Sequence, residues 1–234
     1  MNTRSLLDQL LHAGKDMLQN QGAGNNAARG QSSGSSPLGG LLGSVGGGAL
    51  GGGAMSLLMG SKKARKMGGK VAVYGGLAAL GVVAYKAYSN WQSQNPQQAS
   101  ATPGPPQTID RVPPAQIEQH SQAILRAVIG AAKADGHIDQ RERQLIDGEV
   151  ERLTDDSELR RWFDQELAKP LDPSDIARSA ATPEIAAEMY LASLVMVDDQ
   201  NFMERAYLDE LARQLKLEPS LKTELETQAT QRIG

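Results

Sequence analysis

The sequence contains no cysteine, and this absence removes several chemistries at once. Without thiols the chain can form no disulfide, no cysteine-based zinc site and no thiolate nucleophile. The sequence also lacks a P-loop, an H-E-x-x-H zinc motif, a G-x-S-x-G nucleophile elbow and a dinucleotide fingerprint after a strand. We therefore expect that the protein is not an enzyme.

Acidic residues are scarce in the first half of the chain and abundant in the second. Residues 1–112 contain ten Lys or Arg and three Asp or Glu, whereas residues 113–234 contain fourteen and twenty-four. The two halves thus carry net charges of +7 and −10, in agreement with −3 for the whole chain. Because an acidic domain repels phosphates, we expect no nucleic-acid partner. The opposite net charges also predict that the two halves of the chain lie in different environments.

The front of the chain divides by composition. Residues 1–20 predict an amphipathic helix, because their leucines fall largely on one helical face. Residues 21–69 form a glycine-rich, low-complexity segment, and its end overlaps the basic run SKKARKMGGK at 61–70. Within it, residues 37–60 hold ten glycines and no charge. This stretch fits either a second membrane segment with close helix contacts or a flexible apolar tether.

Residues 70–91 predict a single transmembrane helix. The run VAVYGGLAALGVVAY at 71–85 carries no charge, although it is shorter than the roughly 20 residues that a bilayer needs. Flanking lysines can extend to the headgroups, and the nearby tyrosines and Trp91 suit the membrane interface. Small residues pair at 72/76 and 75/79, so we expect a homo-oligomer through this helix.

The remaining chain predicts a linker and a helical domain. Residues 92–113 form a Pro/Gln-rich linker, and residues 114–234 an acidic domain whose apolar residues recur at helical spacing. Asp172-Pro173 and Thr182-Pro183 each predict an N-cap followed by proline at the first helical position. No segment of this domain shows the alternating apolar pattern that is typical of a β-strand. The expected fold class is all-α: a single transmembrane helix followed by a bundle of about seven helices.

Two segments of this domain are alike, which suggests a duplicated helical hairpin. AAKADGHIDQRERQLI at 131–146 and VMVDDQNFMERAYLDEL at 195–211 each end one helix, turn through acidic residues and begin another helix with Glu-Arg. Helix capping accounts for part of the acidic set, namely Asp139, Glu142, Asn201 and Glu204. It does not account for Asp135, Asp198 and Asp199, which follow helix C-termini where the macrodipole disfavours negative charge.

A bound divalent cation would offset that electrostatic cost. Hard cations take several oxygen ligands, and two acidic turns brought together could supply them. The turns are not EF-hands, because Gln140 stands where glycine is required and Ile146 where the final glutamate is required. The predicted ligands of a calcium, magnesium or manganese ion are Asp135, Glu142, Asp198, Asp199 and Glu204. The alternative is a pair of capped, solvated turns without metal. His120 is interpreted as a half-buried packing residue.

The KADGHIDQRE turn, the DD…MERAYLDELA turn and the all-α setting resemble the TerB-like domain of tellurite-resistance proteins. The basic, glycine-rich anchor resembles the bacterial inner-membrane family of unknown function typified by YebE. This resemblance implies an acidic helical module that can bind divalent metal and act in membrane-linked stress complexes. It also implies a single-pass location in the bacterial inner (cytoplasmic) membrane.

These observations predict a membrane-anchored, non-enzymatic interaction or divalent-metal-responsive module, with the lipid bilayer and an unidentified protein as partners. The alternative is a purely structural, self-associating membrane protein with no metal site. The positive charges at 61–70 predict that this side is cytoplasmic, so that the acidic domain lies outside. The TerB-like resemblance implies instead that the acidic domain is cytoplasmic.

Overall fold

The computed structural model describes residues 3–8, 77–95, 105–134, 138, 140–197 and 201–233. These residues form helices and short connections, and they include no strand. The predicted all-α class is therefore confirmed for the described part of the chain. Residues 3–8 are helical, and eight further helices follow: α1 (Leu77–Gln94), α2 (Pro114–Ala132), α3 (Gln140–Leu153), α4 (Ser157–Ala168), α5 (Pro173–Ala177), α6 (Pro183–Met196), α7 (Phe202–Gln214) and α8 (Pro219–Ile233).

Local sequence signals set several of the helix starts. Asp172 accepts a hydrogen bond from the Ser174 backbone N–H at 2.8 Å, and Thr182 accepts one from Ile185 at 3.3 Å. In both cases proline occupies the first turn, where its missing N–H costs nothing. Both predicted N-caps are confirmed.

Helix α6 is the centre of the bundle, and its residues are buried along almost the whole length. It packs against α1, α2, α7 and α8. Helix α2 runs parallel to it, because His120 contacts Glu188 while Ala127, two turns further on, accepts a 3.2 Å hydrogen bond from the Ser193 hydroxyl. Helices α2 and α6 therefore end at the same end of the bundle, where α7 begins. We call this the turn end.

The prediction of a transmembrane helix at 70–91 is wrong. Among the described residues, no helix has both the length and the apolar composition needed to cross a bilayer. This finding also contradicts the expected single-pass inner-membrane location. The small residues at 72/76 and 75/79 were expected to drive self-association. Residues 72, 75 and 76 lie outside the described residues, as does the side chain of residue 79.

Helix α1 is instead an amphipathic helix of the bundle, packed on α6 and α8. Its buried side chains recur at three- and four-residue spacing: Leu80, Val83, Ala84, Ala87, Tyr88 and Trp91. Lys86 is exposed on the opposite face. Trp91 donates to the Ser220 hydroxyl at 2.8 Å, and Asn90 donates to Glu224 at 3.0 Å. The apolar run was interpreted as a membrane helix because the small residues within it make the apolar stripe hard to recognise in the sequence. In addition, the residues that contact Trp91 and Asn90 lie about 130 positions further along the chain.

Residues 105–112 hold α1 against the bundle, although they lie within the predicted linker. Ile109 and Val112 are buried, and the Ile109 N–H donates to Glu188 on α6. The Arg111 guanidinium lies 3.7 Å from the centre of the Tyr85 ring on α1, within the range of a cation–π contact. We call residues 105–112 the strap.

Candidate functional site

The turn end is the region in which the sequence predicted a cation site. Tyr207 on α7 reaches back to α2, where an added Cβ on Gly130 would lie 2.6 Å from its hydroxyl oxygen. Glu204, one helical turn before Tyr207, is also directed inward and is only 2% exposed. A nearly buried carboxylate thus lies on the first turn of α7, close to where α2 ends.

The predicted metal ligands differ in how far the structure describes them. Asp135, Asp198 and Asp199 lie outside the described residues, as does the side chain of Glu142 on α3. Glu204 is described, and it accepts a 3.1 Å hydrogen bond from the Asn201 side-chain amide. No group of three or more His, Cys, Asp or Glu within the described ranges is arranged to hold a metal ion. The five-residue site therefore stays a prediction.

The predicted N-cap at the start of α7 is confirmed. The Asn201 side chain accepts a 2.9 Å hydrogen bond from the Met203 backbone N–H. Glu204 lies three residues after Asn201 and accepts from its side-chain amide, whereas a capping box pairs such a glutamate with the backbone N–H of the N-cap residue. Phe202 and Met203, on the same turn, are 76% and 54% exposed. Two large apolar side chains therefore face solvent beside the second acidic turn.

A buried acid–histidine pair lies near the middle of the bundle. His120 Nδ1 on α2 is 3.1 Å from Glu188 Oε2 on α6, and both side chains are almost wholly inaccessible to solvent. The other Glu188 oxygen accepts a 2.6 Å hydrogen bond from the Ile109 N–H of the strap. One carboxyl group thus connects three elements. The expectation that His120 is half-buried packing is wrong, because this side chain is buried and paired.

Burial raises the pKa of Glu188, and the hydrogen bonds from His120 and Ile109 only partly oppose that rise. The negative charge of Asp110 on the strap adds to it. Desolvation favours the neutral acid and a hydrogen-bond donor favours the anion, and desolvation is the larger effect on Glu188. Because the pair is sealed from solvent, it can hold helices together and respond to pH, but it has no space for a substrate.

The sequence interpretation overlooked Glu184 and Glu188, although α6 carried a signal. The helix PEIAAEMYLASLVM is apolar on all sides, which is typical of a buried helix. A carboxylate within such a helix needs a partner, since an unpaired buried charge is strongly destabilising. Glu184 is buried near Tyr88, and burial together with the Glu184 charge raises the pKa of Tyr88 to about 12.

A cluster of cations surrounds Glu166, close to the end of α2. Arg126 and Lys169 bind its Oε1 atom at 3.1 Å and 2.8 Å. Lys133 binds the Glu166 and Lys169 carbonyl oxygens, and its pKa is lowered mainly by burial. Lys169 also lies 3.9 Å from Asp175, so three cations share two carboxylates, and Lys133 lies two residues before Asp135. This cluster could balance part of the acidic turn without a metal ion.

A cavity of about 340 Å³ lies between α6, α7 and α8. Its apolar walls include Leu194, Val197 and Leu208. Lys222 at its rim pairs with Asp209 and Glu226 at 3.1 Å each, and Arg205 also lines the cavity, so two cations match two carboxylates. The cavity reaches Val197, which directly follows α6 and precedes the second acidic turn. It offers apolar contact next to the turn end rather than a set of reactive groups.

Comparison with known proteins identifies the family. The family described as "Protein of unknown function (DUF533)" matches residues 44–229, a range that includes α1 as well as most of the bundle. The chain is also 34% identical over 112 residues to the "Uncharacterized protein in ampR 5'region" of Yersinia enterocolitica, covering 48% of this chain and 81% of that protein. No solved structure matches the chain. Because the family match spans well over half of the sequence, the chain belongs to the family Protein of unknown function (DUF533).

Proposed function

We propose that this protein is a non-enzymatic interaction module whose turn end binds a divalent cation and, in that state, a protein partner. The main support is the parallel arrangement of α2 and α6, established by the His120–Glu188 and Ala127–Ser193 contacts. Two parallel helices that end together bring the chain segments that follow them to one end of the bundle. Asp135 follows one of these helices, and Asp198 and Asp199 follow the other.

Buried and exposed side chains at the turn end support the two halves of this proposal. Glu204 supplies a nearly buried carboxylate, the kind of oxygen donor that calcium, magnesium and manganese prefer. Phe202 and Met203 supply exposed apolar surface directly after the second turn, and exposed apolar patches commonly mark protein-binding sites. The net charge of −10 on residues 113–234 disfavours a nucleic-acid partner. The resemblance to TerB-like and YebE-like proteins points to a role in a stress-related complex.

A melting experiment on the full chain tests the cation half of the proposal. A cation that binds only the folded state at a hundredfold excess over its Kd adds about 2.7 kcal/mol. For a chain of this size, that gain corresponds to a rise in Tm of roughly 5–10 °C. The Tm should therefore rise with millimolar calcium, magnesium or manganese and fall with chelator. Asp135→Asn and Asp198→Asn should each abolish the rise.

Two control variants separate metal binding from other effects. Asp155→Asn removes one exposed negative charge from the α3–α4 connection and should leave the metal-induced rise intact. Asn201→Ala removes a cap and should lower stability by about 1 kcal/mol in all ionic conditions. If none of the three ions shifts the melting curve, the turns are solvated, and Lys133 and its neighbours provide their charge balance. The protein would then be a structural, self-associating helical domain.

A further inference from the structure

The cavity between α6, α7 and α8 has walls that belong to the core of the bundle. Val195, Val197 and Leu208 line it, and each of these side chains is at most 6% exposed. Leu194 and Ala229 complete the apolar lining. Sites for small molecules are mostly apolar, with a few polar groups that fix the orientation of the ligand, and a cavity of about 340 Å³ has the size of such a site. These walls therefore suit the apolar part of a ligand.

Three of the four charged side chains that line the cavity belong to one hydrogen-bonded network. Lys222 Nζ lies 3.1 Å from Asp209 Oδ1 and 3.1 Å from Glu226 Oε1. The same Glu226 oxygen accepts a 2.7 Å hydrogen bond from the hydroxyl of Tyr190, a side chain that is completely buried. This network joins α6, α7 and α8, and it leaves Lys222 engaged by two carboxylates.

Arg205 on α7 is the fourth charged side chain, and it lies outside that network. It lines the cavity and is exposed to solvent. Asp209, one helical turn further on, binds Lys222 instead, and within the described ranges the Arg205 guanidinium makes no ion pair. A guanidinium presents five N–H donors in a planar fork that matches a carboxylate. The polar group available at the edge of this apolar cavity is thus a donor for an anion.

We propose that the cavity binds an organic acid with an unbranched apolar tail, whose carboxylate pairs with Arg205 while the tail lies between α6, α7 and α8. An apolar cavity of about 150 Å³ holds one benzene molecule, so a cavity of about 340 Å³ has room for a tail of about eight to ten carbons. The proposal makes no use of the acidic turns. Titrations in the presence of chelator keep its outcome separate from that of the cation experiment.

A comparison of headgroups on one tail tests the role of Arg205. Octanoate, octan-1-ol and octylammonium would each be titrated into the full chain and followed by ligand-observed NMR. Octanoate should bind about tenfold more tightly than the alcohol, because its hydrogen bonds to Arg205 are charge-assisted. Octylammonium should bind no more tightly than the alcohol. Residues 113–234 carry a net charge of −10, so tightest binding of octylammonium would show that the acidic surface selects the ligand, and it would overturn the proposal.

A series of tail lengths tests the apolar part of the site. From hexanoate through octanoate to decanoate, each added methylene should strengthen binding about fourfold, because it leaves water for the apolar walls. Decanoate should then bind with a Kd on the order of 0.1 mM. Absence of saturable binding of decanoate at millimolar concentration, or equal affinity along the series, would contradict the proposal.

Variants locate the binding site. Arg205→Gln should lower the affinity for octanoate to that for octan-1-ol and leave binding of the alcohol unchanged. Arg213→Gln removes the same charge from an exposed position on α7, where Arg213 pairs with Glu210, and should change neither affinity. Equal effects of the two arginine variants on octanoate would overturn the proposal.

A cavity-filling variant tests where the tail lies. Ala229→Phe should occupy the cavity from α8 and abolish binding of octanoate and octan-1-ol alike. Unchanged binding of both ligands to the folded variant would place the tail elsewhere and contradict the proposal. If circular dichroism shows that this variant is unfolded, Arg205→Gln still decides, because it alters a side chain that is exposed.

Discussion

At the scale of single residues, the fold depends on a carboxyl group that the solvent cannot reach. Glu188 contacts His120 on α2 and the Ile109 N–H of the strap, while its own backbone belongs to α6. Removing one partner of a buried polar pair leaves the other unsatisfied, which generally costs more than the pair contributes. The protonation of Glu188 therefore affects the attachment of the strap, and through the strap that of α1.

The direction of the pH effect follows from the raised pKa of Glu188. Its carboxyl group has an ordinary pKa of 4.5, and burial raises that value in the folded chain. The folded state then binds this proton more tightly than the unfolded state does. The resulting stabilisation is fully present below the ordinary value and is lost as the pH rises through the folded value.

Glu188→Gln should remove this dependence, because the amide copies the protonated acid. Its carbonyl oxygen can accept from Ile109, and its NH₂ group can donate to His120. In urea denaturation, the variant should match the wild type at low pH and be the more stable protein at high pH. Glu184→Gln, one turn earlier on α6, controls for removal of a buried carboxylate. The interpretation fails if Glu188→Gln and the wild type lose stability in parallel as the pH rises.

At the scale of helices, replacing two different glycines by alanine should change the stability of the protein in opposite directions. A Cβ on Gly130 of α2 would clash with the Ile176 side chain on α5 and lie 2.6 Å from the Tyr207 hydroxyl oxygen on α7, whereas a Cβ on Gly148 of α3 would meet no atom within 4 Å. Gly130→Ala should destabilise the protein by about 1–3 kcal/mol through overpacking. Gly148→Ala should stabilise it by about 0.5–1 kcal/mol, because alanine favours the helix.

Urea denaturation of the two glycine variants provides the comparison. Each is the control for the other, since both replace a helical glycine by the same residue. A Gly130→Ala protein as stable as Gly148→Ala would mean that α5 and α7 do not pack closely on α2.

The contacts within and between helices also show which features of the fold were predictable from the sequence. The N-caps at Asp172, Thr182 and Asn201 depend on residues two or three positions away, so a local pattern was sufficient. The pairing of His120 with Glu188 joins residues 68 positions apart, and the Trp91–Ser220 contact joins residues 129 apart. No local pattern identifies such partners. For this reason the helices were predictable, while the position of α1 and the buried pair were not.

At the scale of the whole molecule, α1 belongs to the same core as the helices of the acidic domain. Tyr88 and Trp91 form an aromatic pair with ring centres 5.4 Å apart at the end of α1 that contacts α8. The family match also extends from residue 44 across α1 into α8. The described protein is thus one bundle rather than an anchor and a separate domain, and removing α1 would uncover the apolar faces of α6 and α8.

The absence of cysteine makes the position of α1 directly measurable, because introduced cysteines have no competitors. The Asn90 and Glu224 side chains are 3.0 Å apart. A chain carrying Asn90→Cys and Glu224→Cys should react rapidly with a short bis-maleimide to give an internal cross-link, and urea should abolish it. The control pair combines Asn90→Cys with Arg161→Cys on α4, whose neighbours are α2 and α3. Cross-linking of the 90–224 pair well above the control is the predicted result, and cross-linking no faster than the control would contradict the placement of α1 in the bundle.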